Sequence, residues 1–206
     1  GKWQGSSRAT WWPIRDLSSY GCLKAGGQGP TLTIMTRISA VLASIFLFFT
    51  PAMAQPVTLL ALGDSLTAGY GLQPSDAFPV KLEAALRARG HDVVVVNAGV
   101  SGDTAVDGLA RLDWSLSDDV DAVIVELGAN DALRGLPPPQ ARAALDGILA
   151  RLAEKGRPTL VAGMRSPPNM GPDYVAAFDG MYPELAEKHQ AILYPFFLDG
   201  VAADRS

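Results

Sequence analysis

The chain has 206 residues, of which 48% are hydrophobic and only 18% are charged, a balance typical of a globular protein and not of a disordered one. The formal net charge is −4 and the Lys and Arg residues form no cluster, which argues against nucleic acid and anionic membranes as partners. The single cysteine, Cys22, excludes a disulfide within the chain.

Residues 35–54 have the features of a secretory signal peptide. Arg37 supplies the basic end, residues 38–49 form a mainly apolar run, and residues 52–54 read Ala-Met-Ala, a small-x-small cleavage site. A membrane-spanning helix is disfavoured because a span needs roughly 20 apolar residues. We therefore expect a periplasmic or secreted protein without a stable membrane span once the peptide is removed.

Residues 1–34 precede this signal, begin with glycine and show no sustained hydrophobic periodicity. We interpret them as a non-native upstream extension. An aromatic ligand-binding arm is the alternative, since three of the four Trp residues lie there. The mature domain would then be residues 55–206, without cysteine and with a net charge of −8 from 12 basic and 20 acidic residues.

Strand patterns and helix patterns alternate along the mature segment. Apolar or β-branched runs predict strands at 57–62, 93–96, 122–127, 159–163 and 191–197. Helical spacing of apolar residues predicts helices at 78–89, 104–116, 141–152 and 174–185. Short connections between the two types predict an α/β fold of three layers (α/β/α), with a flavodoxin-like, parallel, five-stranded sheet.

The ends of the first three predicted strands carry groups suited to acyl transfer. Ser65 follows the first strand, Gly102 follows the second and Asn130 follows the third. In open α/β sheets ligands bind at the carboxyl ends of the strands. Acyl transfer needs a nucleophile and N–H donors for a developing oxyanion, which Ser65, Gly102 and Asn130 could supply. An N-cap serine, a turn glycine and a capping asparagine are the structural alternatives.

Three segments carry a family resemblance: GDSLTAGYG at 63–71, SGDT at 101–104 and GAND at 128–131. Together and in this order they resemble the SGNH (GDSL) hydrolase superfamily, and within it the thioesterase I, arylesterase and lysophospholipase group. The resemblance implies the SGNH hydrolase fold and hydrolysis of small-molecule acyl esters or thioesters, with no metal and no cofactor.

The resemblance also implies roles for individual residues. Ser65 would be the nucleophile, and Gly102 and Asn130 would contribute to the oxyanion hole. Supporting roles near these groups are expected for Gly63, Asp64 and Asp131. The loops 133–139 and 166–172 are predicted to form the walls of the substrate pocket.

The histidine base is the part of the pattern that this sequence does not supply. A serine hydrolase normally uses a histidine held by a carboxylate, and the family takes both from a late D-x-x-H block. The two histidines, His91 and His189, precede predicted strands and therefore map to the amino edge of the sheet, as surface residues. At the position of a degenerate block, residues 199–202 read Asp-Gly-Val-Ala.

Two interpretations follow from the missing base. Either the domain is incomplete at the C-terminus, lacking its catalytic Asp, its His and a C-terminal helix, or it is a pseudoenzyme that binds acyl groups or glycans without turnover. In both cases the chain as given is expected to be nearly inactive. A flavin- or phosphate-binding domain is disfavoured because the first strand–helix turn lacks a run of suitable donors, and the acidic stretch 118–121 is expected to be a solvated loop and not a metal site.

Overall fold

A five-stranded parallel sheet with the order β2-β1-β3-β4-β5 forms the centre of the computed structural model, which describes residues 55–202. The strands are β1 (Val57–Gly63), β2 (Val93–Gly99), β3 (Ala122–Glu126), β4 (Thr159–Ala162) and β5 (Ile192–Tyr194). The helices are α1 (Ser65–Ala68), α2 (Phe78–Ala88), α3 (Ala105–Ser115), α4 (Ala129–Leu133), α5 (Pro138–Glu154) and α6 (Pro172–Lys188). The predicted α/β class and flavodoxin-like strand order are confirmed.

One face of the sheet is buried under α3, α5 and α6. Alternate residues of neighbouring strands, such as Leu60 and Val123, are in register and point to this face, where each is 1% exposed. The helices contribute large apolar side chains to the same core, among them Leu112, Leu145, Ile148, Phe178 and Met181. This packing places the carboxyl ends of β1 and β3 side by side at one edge.

The opposite face of the sheet is less completely covered. Helix α2 packs there beside β2, but an apolar groove of about 620 Å³ extends past Ile124 and Leu160 towards β5. Tyr194, which lines this groove, is 45% exposed, and Ile192 in the same strand is 67% exposed. The two faces of β3, β4 and β5 therefore differ strongly in burial.

The fifth strand is shorter than predicted. The sequence pattern predicted a strand over 191–197, whereas the pairing with β4 ends at Tyr194. Pro195 follows directly, and because it has no N–H it cannot continue the ladder. The predicted signal peptide and upstream extension lie outside the described residues. Within the described part of the chain, no helix combines the length and the apolar character needed to cross a bilayer.

Two glycines in helices allow a matched test of the packing. A Cβ at Gly108 in α3 would lie 2.3 Å from Cδ1 of Leu127, which is itself 1% exposed. We expect Gly108→Ala to lower the free energy of unfolding by about 1–3 kcal/mol, because overpacking outweighs the gain in helix propensity. Gly180 in α6 has space, with no atom closer than 3.8 Å. Gly180→Ala should raise the free energy of unfolding by about 0.5–1 kcal/mol in urea denaturation, and equal effects of the two changes would contradict this packing.

Candidate active site

Ser65 begins helix α1 directly after the first strand. The side chain of Asp64 accepts a hydrogen bond from the N–H of Leu66 at 2.9 Å and so caps this short helix. Gly69, with φ of +83°, ends it. Because β1 ends at Gly63, Ser65 lies at the carboxyl end of the sheet, as predicted. It is half-buried and lines a cleft.

Asn130 lies in α4, at the end of the neighbouring strand β3. Gly128, which precedes this helix, has φ of +113°, and a Cβ there would lie 2.2 Å from the hydroxyl oxygen of Tyr182. The Asn130 Nδ2 group donates to Oδ2 of Asp64 at 3.0 Å and to the carbonyl oxygen of Asp103 at 2.9 Å. Both amide hydrogens of Asn130 therefore have acceptors inside the protein.

Gly102 lies in the turn that follows β2. The turn is closed by the N–H of Asp103, which donates to the carbonyl of Val100 at 3.1 Å, and Gly102 adopts φ of +92°. Its carbonyl oxygen accepts from Nη2 of Arg134 at 2.7 Å. Gly102 does not itself line the cleft, but the adjacent Asp103 carbonyl contacts Asn130. The three strand ends thus meet through Asn130.

The cleft beside Ser65 has a volume of about 240 Å³. Asp64, Ser65, Asn130 and Arg165 are its polar and charged lining residues. The other lining residues are apolar: Leu66, Ala129, Ala132, Leu133, Met164, Pro167, Phe196 and Leu198. Leu133 and Pro167 fall in the two loops that the sequence singled out as pocket walls.

Arg165 is a cleft residue that the sequence analysis did not identify. Its guanidinium carbon lies 4.8 Å from the centre of the Phe196 ring, a cation–π contact. No local motif distinguishes this arginine from the other arginines of the chain. It lines the cleft because the segment after β4, which carries Arg165, lies next to the segment after β5, which carries Phe196.

Arg111 in α3 is a second residue that sequence reasoning missed. Its guanidinium donates to the carbonyls of Ala98 and Gly63 at 2.8 and 2.9 Å and forms an ion pair with Asp103 at 2.5 Å. It therefore joins the carboxyl ends of β1 and β2 to the turn that contains Gly102. Arg111 belongs to the segment GLARL at 108–112, in which no local pattern predicts these contacts.

Two supporting carboxyl groups lie buried beneath the cleft. Burial raises the pKa of Asp64, against hydrogen bonds from Leu66 and Asn130 that lower it. Burial also raises the pKa of Asp131, whose Oδ2 accepts from the N–H of Ala105 at the start of α3 at 2.9 Å. Both residues are fully buried, so they act on the backbone around the cleft and not on solvent.

The two histidines lie away from the cleft. His91 is exposed and precedes β2, as predicted. His189 follows α6, and its Nε2 contacts Oδ1 of Asp146 at 2.5 Å. Its side chain is 12% exposed, so His189 lies at the surface but is more enclosed than predicted. This partial burial arises because α6 packs against α5, which carries Asp146.

The acidic stretch 118–121 is an exposed loop except for Val120, and the Asp121 carboxylate accepts from the N–H of Thr58 at 2.8 Å. Among residues 55–202, no group of three His, Cys, Asp or Glu side chains is arranged to hold a metal ion.

Comparison with known proteins assigns this fold and its strand-end motifs to a class. The structure resembles the crystal structure of AlinE4, an SGNH-hydrolase family esterase, with a TM-score of 0.72 and 50% identity, over 75% of this chain and 83% of that chain. The model of the GDSL-like Lipase/Acylhydrolase family matches residues 61–206, and the chain belongs to that family.

Curated relatives include the "Arylesterase" of Vibrio mimicus, 42% identical over 163 residues, which cover 78% of this chain and 82% of that protein. The "Thioesterase 1/protease 1/lysophospholipase L1" of Escherichia coli (strain K12) is 41% identical over 158 residues, 76% of this chain and 74% of that protein. The family and the names of these relatives support ester-hydrolase chemistry.

Arg111 provides a test of how the strand ends are held together. We expect Arg111→Lys to lower the free energy of unfolding by about 1–3 kcal/mol, because one ammonium cannot reach both carbonyls and the Asp103 carboxylate. Urea denaturation at neutral pH measures the loss. The matched control is Arg151→Lys, at an ion pair with Asp113 in which both side chains are about half exposed, where a change of less than about 0.5 kcal/mol is expected. A similar effect of both changes would show that Arg111 has no special structural role.

Proposed function

We propose that the chain is a serine-dependent hydrolase domain for carboxylic esters or thioesters. The observation that carries the proposal is the shared cleft of Ser65 and Asn130, in which a hydroxyl group and a carboxamide from two adjacent strand ends line one space. The largely apolar lining suits the uncharged acyl part of an ester. The family membership supports the same reaction class.

In the proposed mechanism Ser65 Oγ attacks the acyl carbonyl carbon while a general base takes the hydroxyl proton, and the C=O bond becomes a C–O⁻ single bond. The N–H of Ser65, the N–H of Gly102 and the Nδ2 group of Asn130 would stabilise that oxyanion. Collapse of the tetrahedral adduct would expel the alcohol or thiol, which takes the proton back from the base, and water would then hydrolyse the acyl-enzyme and restore the Ser65 hydroxyl. Since both Asn130 hydrogens already have acceptors, the oxyanion must compete with the Asp103 carbonyl or the Asp64 carboxylate.

The proton of Ser65 has no histidine acceptor in this sequence, because His91 and His189 lie elsewhere. Loss of the base in another serine hydrolase costs roughly 10⁶-fold in kcat, so we propose that the 206-residue chain has negligible turnover on its own. The second candidate function, favoured by the same observation, is a non-catalytic protein that binds acyl groups or glycans in the cleft.

A chemical-rescue experiment separates these functions. Hydrolysis of p-nitrophenyl butyrate by the full chain should stay at the buffer rate without added base. Imidazole, supplied as a diffusible base, should produce an additional rate that is lost in Ser65→Ala. The control is Ser117→Ala, an exposed serine before β3, which should retain the imidazole-dependent rate.

Each outcome of the rescue experiment decides one point. A strong Ser65-dependent rate without imidazole would refute the claim that the base is missing. Identical imidazole-dependent rates in the wild type and Ser65→Ala would refute nucleophilic catalysis by Ser65. Binding of butyrate esters without any rescued turnover would favour the non-catalytic function.

We further propose that residues 35–54 direct export to the periplasm or medium. Expression in a Gram-negative host should then release a protein whose N-terminus is Gln55, directly after the Ala-Met-Ala site. N-terminal sequencing of the periplasmic fraction checks this expectation. Replacing Ala54 with Arg should block cleavage, and an uncleaved cytosolic product from the unmodified chain would contradict the proposal.

A further inference from the structure

Glu126 is a buried carboxyl group for which the proposed mechanism has no use. It is the last residue of β3 and is completely buried. Its Oε2 accepts the hydroxyl hydrogen of Thr67 at 2.8 Å and the N–H of Asp64 at 3.4 Å. Its Oε1 has no hydrogen-bond partner among the described residues. These contacts reach both sides of Ser65 along the chain.

The neighbouring backbone is built to admit this carboxyl group. Gly63 pairs with Glu126 in the ladder between β1 and β3. A Cβ at Gly63 would lie 2.7 Å from Glu126 Oε2 and 2.1 Å from Thr67 Oγ1. The missing side chain at position 63 thus makes room for the Glu126–Thr67 hydrogen bond directly beneath the turn that presents Ser65.

The groups around Glu126 favour its neutral form. Burial, and then the nearby Asp64, raise the pKa of Glu126 from its ordinary value of 4.5 to about 8. A hydrogen bond with Glu126 lowers the pKa of Asp64 against the effect of burial. From α6, the hydroxyl of Tyr182 donates to the carbonyl of Leu127, and it does not neutralise Glu126. Arg111 binds the far side of Gly63 through the carbonyl and pairs with Asp103.

We propose that Glu126 is a positioning residue for Ser65, and that its neutral carboxyl group holds the turn from Gly63 to Thr67 in the shape that presents the Ser65 hydroxyl to the cleft. This inference rests on the proposed function for the role of Ser65. The stabilisation of the turn by Glu126, however, can be measured without any catalysis. Ionisation would place a second negative charge beside Asp64 in a site that is closed to solvent. The turn would then be loosened.

The first measurement is hydrogen exchange of the backbone amides in residues 63–69 of the full chain. In the folded turn Glu126 keeps its proton up to about pH 8, whereas in an opened turn it would lose the proton above its ordinary pKa of 4.5. The turn should therefore lose protection as pH rises from about 5 to 8, by up to about tenfold per pH unit. Glu126→Gln keeps a neutral group of the same shape, so its protection, corrected for intrinsic exchange, should not change across this range. Glu154→Gln, at an exposed glutamate at the end of α5, should behave like the wild type.

The second measurement is the rate at which a fluorophosphonate probe modifies Ser65 in the presence of imidazole, which replaces the missing base as in the rescue experiment, followed by intact mass. The ratio of the rate constants, Glu126→Gln over wild type, should be about one below pH 7 and should rise above pH 8, where only the wild type becomes charged. Ser65→Ala identifies the modified residue. If Glu126→Gln fails to fold, Thr67→Val serves instead. The Thr67 hydroxyl lowers the pKa of Glu126, so its removal should raise that pKa. The fall in the modification rate of Ser65 that the wild type shows above pH 8 should then occur at a higher pH.

The outcomes are distinguishable. The same pH dependence of protection in the wild type and Glu126→Gln would overturn the inference, as would a rate ratio of one at every pH. A Ser65 that the probe modifies in no variant, even with imidazole present, would refute the proposed function. In that case the amide protection alone would still decide whether Glu126 holds the turn.

Discussion

The hydrogen bond from Asn130 to Asp64 is the contact on which the arrangement of the site depends. It joins the segment after β3 to the segment after β1, and the second hydrogen of the same amide reaches the Asp103 carbonyl after β2. A single side chain therefore connects the segments that follow three strands. A carboxamide can do this because its two hydrogens diverge in one plane and can serve two acceptors.

Burial of acidic groups gives this edge of the sheet its electrostatic character. Asp64, Glu126 and Asp131 are all completely buried, and burial raises the pKa of each. A core made only for stability would avoid such groups, because the charged form is costly away from water. Here each carboxyl group accepts a backbone N–H near the cleft, so the acids define the backbone path around Ser65. Perturbed acids of this kind cluster at functional sites.

The sheet provides the rigid base for this edge, and its two faces contribute differently. The face under α3, α5 and α6 is fully packed and fixes where β1 and β3 end. The other face is covered by α2 near β2 but leaves an apolar groove towards β5. Leu66 and Leu198 line both this groove and the cleft, so the apolar surface continues from the sheet face to the position of Ser65.

By itself, the sequence determined the α/β fold class, the flavodoxin-like parallel sheet and the position of Ser65 and Asn130 at the ends of strands. These depend on local signals: apolar periodicity, a glycine at a strand end, and short motifs of fixed spacing. Only the tertiary structure decided the roles of Arg111 and Glu126 and the partial burial of His189. Each of these depends on contacts between residues far apart in the chain, such as Glu126 with Thr67 or Arg111 with Gly63. A local sequence pattern cannot predict which distant residues will come into contact.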